Sequence, residues 1–140
     1  SVVSQDVQPQ GLFLKSDGLK MYMVGNSSDK IHEYNLSTAF DISTAVFFQD
    51  FNVRPQDNNP GSVFFKPDGL KIYVLGLQND KVYEYDLFSA FDISTSVFNQ
   101  DYSVLPQENS PRGIFFKSDG LKMYHTGSQN DKVYEYDLTD

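Results

Sequence analysis

A ten-residue segment occurs three times at an interval of 51 residues, and that period decides what the chain can fold into. Phe13-Leu14-Lys15-Ser16-Asp17-Gly18-Leu19-Lys20-Met21-Tyr22 recurs over residues 64–73 and again over 115–124. A fixed period of this kind marks a repeat architecture, in which each unit buries its apolar surface only against its neighbours. The second unit reads most cleanly. Residues 62–66 are short, apolar and aromatic, and Pro67-Asp68-Gly69 marks a tight turn. Residues 70–75 alternate, with Lys71 and Tyr73 on one side and Ile72 and Val74 on the other, and residues 81–87 repeat that alternation. In the connection that follows, Asp92-Ile93-Ser94-Thr95 favours side-chain to backbone bonds and one helical turn. Residues 96–104 read as a fourth strand, and the run from Pro106 to Pro111 breaks the chain before the next unit.

Composition fits this reading. The chain has no Trp, but twelve Phe and nine Tyr supply enough apolar material for a packed interior. A net charge of -8 argues against nucleic acid, which needs a basic stripe, and against an anionic membrane surface. No apolar run approaches the ~20 residues of a membrane-spanning helix. Without cysteine, disulfides and thiolate metal sites are excluded, and the compartment stays open, with an extracellular or surface setting slightly favoured.

The fold class expected is all-β, with about four short antiparallel strands per repeat. The segments Phe-x-Lys-Ser/Pro-Asp-Gly-Leu-Lys-x-Tyr and Val-Tyr-Glu-Tyr-Asp-Leu resemble the blade repeats of bacterial β-propellers, and are distantly similar to YVTN, WD40-like and kelch propellers. The Trp-Asp dipeptide of WD40 blades is missing, as are the glycine pair and Trp of kelch repeats. The resemblance implies one repeat domain over 1–140, with units near 11–61, 62–112 and 113–140, and residues 1–10 completing a blade.

Columns that stay constant read as blade chemistry. Phe13, Phe64 and Phe115 are expected near the inner strands, packing between blades. Tyr22, Tyr73 and Tyr124 join Tyr34, Tyr85 and Tyr136 in aromatic contacts. Pairing the second and third strands sets Lys71 opposite Asp86 and Lys122 opposite Asp137, whereas the first unit has Asn35 at that place. Gly18, Gly69 and Gly120 are expected to supply positive φ in the turn.

Three full units would need 153 residues and the chain has 140, the difference corresponding to residues 39–51 of one unit. Propellers close with about four to eight blades. Two copies about a twofold axis would give six, so a homodimeric six-bladed ring is expected. The competing expectation is a piece of a longer chain that closes alone.

For function, the hydrolase and phosphate-loop motifs are missing, and the chain is not expected to be an enzyme. His32 and His125 fall in different columns, matching Tyr83 and Val74, and read as packed residues. Six-bladed hydrolases and lactonases resemble the chain in expected fold, but the sequence offers no asymmetric carboxylate cluster on its inner strands. The polar candidates are loops. Gln56, Asp57 and Asn58, with Gln107, Glu108 and Asn109, precede an inner strand; Asn79, Asp80, Asn130 and Asp131 join the second and third strands. Both loop sets are expected on one face, where amides and carboxylates suit hard cations and sugar hydroxyls. The same residue types are also ordinary turn formers. The expected role is therefore a non-catalytic binding or interaction module for a glycan or protein, with a ligand-free scaffold or a lactonase-like enzyme as alternatives. No cofactor and no metal are expected.

Overall fold

The computed structural model describes residues 1–138; residues 139 and 140 of the last sequence unit lie outside them. Strands β1 (Pro9–Leu14), β2 (Lys20–Gly25), β3 (Lys30–Leu36) and β4 (Ala45–Asn52) form a first antiparallel sheet in that order. Strands β5 (Pro60–Phe65), β6 (Lys71–Gly76), β7 (Lys81–Leu87) and β8 (Ser96–Ser103) form a second. Strands β9 (Pro111–Phe116), β10 (Lys122–Gly127) and β11 (Lys132–Asp137) form a third, in which the described residues supply three strands.

Local chemistry sets each turn. Between first and second strands, Gly18, Gly69 and Gly120 take the left-handed conformation expected of them, at φ 72°, 75° and 76°. The aspartate one residue earlier helps: Asp68 Oδ1 accepts the Leu70 amide at 2.9 Å. Between second and third strands the left-handed place falls to Asp29, Asp80 and Asp131, a conformation Asp tolerates better than most residues. The connection after the third strand carries a 3-10 turn, Ile42–Thr44 or Ile93–Thr95. Its cap is Asp41 or Asp92, and Asp92 Oδ1 accepts the Ser94 amide at 3.1 Å.

Register follows the alternation. Lys71 faces Asp86 and Lys122 faces Asp137, with ion pairs of 2.6 and 2.7 Å, whereas Lys20 faces Asn35 and pairs with Glu33 instead. The inner strands β1, β5 and β9 lie side by side. Along them Phe13, Phe64 and Phe115 form an edge-to-face ladder, with ring centres 5.5 and 5.3 Å apart. Such geometry sets the positive rim of one ring against the negative face of the next.

Two core clusters lie between sheets, and a third, of Met21, Met23, Tyr34 and Leu36, lies on the outer face of the first sheet with Val2 packed against it. Tyr22, Val24, Ile31, Val63, Phe65, Ile72, Tyr85 and Ile93 fill the space between the first and second. Leu75, Val82, Val104, Ile114, Phe116 and Met123 fill the space between the second and third. Tyr22 stacks obliquely on Phe65 at 4.2 Å and Tyr73 lies flat on Phe116 at 3.8 Å, so the same contact is made twice at the repeat interval.

Candidate functional site

The two loop sets singled out in the sequence do meet on one rim, and carboxylates hold them together. Asp57 is buried, with Oδ1 accepting the Asn59 amide at 2.8 Å and Oδ2 accepting the Asn79 amide at 3.0 Å. Glu108 is buried in the same place one unit later. It accepts the amides of Ser110 at 3.0 Å and of Gln129 and Asn130, both at 3.2 Å. Asp6 completes the column by accepting the Gln8 amide at 2.6 Å and the Ser28 amide and hydroxyl at 2.8 and 2.5 Å. Each carboxylate thus fastens the loop entering one inner strand to the turn between second and third strands.

Electrostatics agree with this role. Burial works to raise the Asp6 and Glu108 carboxyls, but the donors around them prevail and hold both below the ordinary range. Asp80 goes the other way: burial, then the charges of Asp57 and Glu108, push it up. Among the described residues its buried Oδ1 has no partner. In the first unit Arg54 stands 3.7 Å from Asp29 Oδ2, and the second unit has Leu105 at the position of Arg54; the Oδ1 of Asp29 is as buried and unpaired among the described residues as that of Asp80.

The amides of the rim divide in two. Gln56 and Gln107 accept through their backbone carbonyls from Asn79 and Asn130 Nδ2, each at 3.1 Å, which bridges the two loops. The Gln56 side chain also accepts the Tyr85 hydroxyl at 3.2 Å, and the Gln107 side chain accepts the Tyr136 hydroxyl at 3.4 Å. Asn58 and Asn109 are exposed, as is Asp131, which occupies the left-handed turn position. The predicted loops therefore meet in pairs within each blade, with Asp57 and Glu108 committed to backbone donors and Asn58 and Asn109 facing water.

The histidines pack as their columns suggest. His32 is buried, with Nε2 at 2.9 Å from the Ser28 hydroxyl, and burial lowers its pKa. His125, also lowered by burial, stacks on Tyr134 at 4.8 Å and lies 2.9 Å from the Tyr136 hydroxyl.

Sequence reasoning passed over two features. Asp6 escaped, although Gln5-Asp6 stands 51 residues before Gln56-Asp57, because residues 1–10 read only as the completion of a blade. The partner signal was Gly25, Gly76 and Gly127, where an added Cβ would run into the carboxylates of Asp6, Asp57 and Glu108. The second is the connection Phe91-Asp92-Ile93, which wedges between sheets. Tyr22 Oη donates to the Phe91 carbonyl at 2.7 Å, the Phe91 ring stacks on Phe65 at 5.6 Å, and Gln49 Nε2 donates to Asp92 Oδ1 at 3.0 Å. The matching residues of the first sheet lie on its outer face. Phe40 is 59% exposed and Ile42 66% exposed, against 0% for Ile93.

Known proteins place this architecture. No protein-family profile and no curated protein matches the chain. Solved structures do match. A provisional 6-phosphogluconolactonase of Bacteroides uniformis is similar over 94% of this chain and 37% of its own, at 14% identity and TM-score 0.68. The periplasmic gluconolactonase of Pseudomonas aeruginosa is similar over 94% of this chain and 36% of its own, at 17% identity and TM-score 0.66. The β-propeller domain of Myceliophteria thermophila Swd1 gives 94% and 40%, at 12% identity and TM-score 0.64. The chain spans less than two fifths of the length of the two lactonase structures. With radial antiparallel sheets packed face to face at a fixed interval, the chain has the β-propeller fold and carries three of its blades.

Proposed function

We propose that the chain is a non-catalytic β-propeller interaction module whose working surface is the outer face of the first blade. One observation carries this reading. Ile42 and Ile93 are the same residue in the same 3-10 turn, yet one is exposed and the other fully buried against a preceding blade. The outer face of the first blade therefore has the side chains of a blade interface. Around Ile42 it presents Leu12 and Phe40, a grouping larger than scattered surface apolar residues.

The partner proposed is the third blade of a second copy, so that two copies build a six-bladed ring. Light scattering on a size-exclusion column tests it. The expected mass is about twice 15.9 kDa, with the Ile42→Asp variant monomeric and its β-sheet spectrum unchanged. A wild-type monomer at all accessible concentrations overturns the ring. A glycan or protein ligand on the rim would use the free amides of Asn58 and Asn109.

Likeness in fold to two lactonase structures favours a second reading, lactone hydrolysis. Against it, the rim carboxylates Asp6, Asp57 and Glu108 already accept two or more donors each. Turnover of gluconolactone above the solvent rate, lost on substitution of one side chain, would establish the enzymatic reading in its place.

A further inference from the structure

We propose that Asp17, Asp68 and Asp119 are sites of covalent modification to isoaspartate, and that the lysine two residues before each one guards it in the folded chain. Each of these aspartates precedes a glycine, and all three pairs stand in the turn between first and second strands.

The chemistry needs only the chain and water. In an Asp-Gly pair the glycine amide nitrogen can attack the aspartate Cγ, because glycine has no Cβ to shield it. A C–N bond forms, the amide proton leaves with the carboxyl hydroxyl as water, and a five-membered succinimide results. Water then adds to one of the two ring carbonyls. Addition at Cγ breaks the new C–N bond and restores aspartate. Addition at the main-chain carbonyl breaks the original peptide bond, so that the chain runs through Cγ and gains one methylene. The first step draws on the neutral carboxyl, since a carboxylate would have to expel an oxide.

The three turns hold both reactants back. The amides of Gly18, Gly69 and Gly120 donate to the carbonyls of Lys15, Lys66 and Lys117 at 2.8, 2.8 and 2.9 Å. Each carboxylate is pinned on both oxygens. Oδ1 accepts the amide of Leu19, Leu70 or Leu121 at 3.0, 2.9 or 3.0 Å. Oδ2 pairs with Lys15, Lys66 or Lys117 at 2.6, 3.1 or 2.5 Å. The Lys15 ammonium, then the Leu19 amide, keep Asp17 below the ordinary carboxylate range, and Lys117 and Leu121 do the same for Asp119. At Asp68 burial works to raise the carboxyl, but the Leu70 amide and Lys66 prevail. All three side chains stay in contact with solvent, so water for the second step is at hand.

Modification would reach beyond the turn. The Gly69 carbonyl accepts the Phe91 amide and the Leu70 carbonyl accepts the Leu87 amide, both at 2.9 Å. A methylene added at Asp68 would displace these acceptors and loosen the connection that wedges between the first and second sheets.

The whole chain, incubated at neutral pH in buffer and in urea, tests this. An isoaspartyl methyltransferase with labelled S-adenosylmethionine reports the product, and peptide mapping assigns it to a turn. Expected is isoaspartate at all three positions in urea and several times less in the folded chain. In folded Lys15→Ala, Asp17 should react about tenfold faster, the effect of losing one charge paired with a carboxylate. Asp68 and Asp119 of the same molecules should keep their pace. Lys15→Arg, which retains the charge, should keep Asp17 slow, and Lys117→Ala should speed Asp119 alone. Absence of isoaspartate in urea, or equal rates with and without urea, overturns the proposal. So does a wild-type rate at the unguarded turn of both alanine variants. Equal acceleration of all three turns in either alanine variant would make the fold, and not the lysine, the guard, and overturns that role.

Discussion

At the scale of single residues, the carboxylate column Asp6, Asp57 and Glu108 makes the sharpest demands on its surroundings. A carboxylate buried among backbone amides is stable only while its donors stay aimed at it, and leaving such groups unpaired costs about 1–3 kcal/mol each. Gly76 gives Asp57 the room to approach. Gly76→Ala is therefore expected to destabilise the fold by on the order of 2 kcal/mol, read from urea unfolding. Unchanged stability would show that the carboxylate can leave its donors freely. The same column sets the response to acid. Asp6 and Glu108 are depressed in the folded chain, so their contribution is present above the unfolded values of ~3.9 and ~4.3 and is lost as pH falls through the lower folded values. The urea midpoint should stay level from about pH 7 to pH 5, drop below about pH 4, and drop less in an Asp6→Asn, Glu108→Gln double variant. Asp80 has the opposite sign. Its raised pKa means that stability is lost as pH rises through the carboxylate range. Asp80→Asn should raise the urea midpoint at neutral pH, with the gain vanishing in acid; a gain that persists in acid would assign the effect to backbone conformation instead.

At the scale of elements, the 3-10 connection shows how one sequence acquires two energies. Ile93 enters a closed cluster with Tyr22, Phe65 and Tyr85, and removing its side chain to Ala should cost about 2–4 kcal/mol through lost burial and an unfilled cavity. Ile42 is in the same turn with the same cap, but it is mostly exposed, and Ile42→Ala should stay within ~0.5 kcal/mol for the monomer. Equal costs would mean that the turn, rather than the packing, carries the effect. This pair also shows what the sequence could reveal. Strand alternation, the turn glycines, the Phe ladder and the Lys71–Asp86 register are local or nearest-neighbour properties, and a period of 51 residues repeats them faithfully. Burial of Ile93 depends instead on Tyr22 and Phe13 of another unit, about 70 to 80 positions away, and columns alone do not say which copies have a neighbour. The rim was legible as a place but not as a chemistry. Asp57 and Asn58 are adjacent and of kindred type, and only the fold turns one toward the Asn79 amide and the other toward water.

At the scale of the whole molecule, two forces oppose each other in the proposed ring. Each copy carries a net charge of -8, and bringing two together sets like charge against like. The joining face is apolar, built on Leu12, Phe40 and Ile42, so its attraction is burial rather than ion pairing. Salt acts on these unequally. Raising ionic strength from ~0.02 to ~0.2 M shortens the screening length from roughly 20 to roughly 7 Å, which weakens the long-range repulsion and leaves the apolar contact almost untouched. Association should therefore tighten with added salt, seen by sedimentation or light scattering as a lower concentration at half-dimer. The apparent melting temperature should also rise with protein concentration, because the partner binds only the folded state. If salt weakened the dimer instead, the interface would have to be held by ion pairs, and the face around Ile42 would not be the one in use.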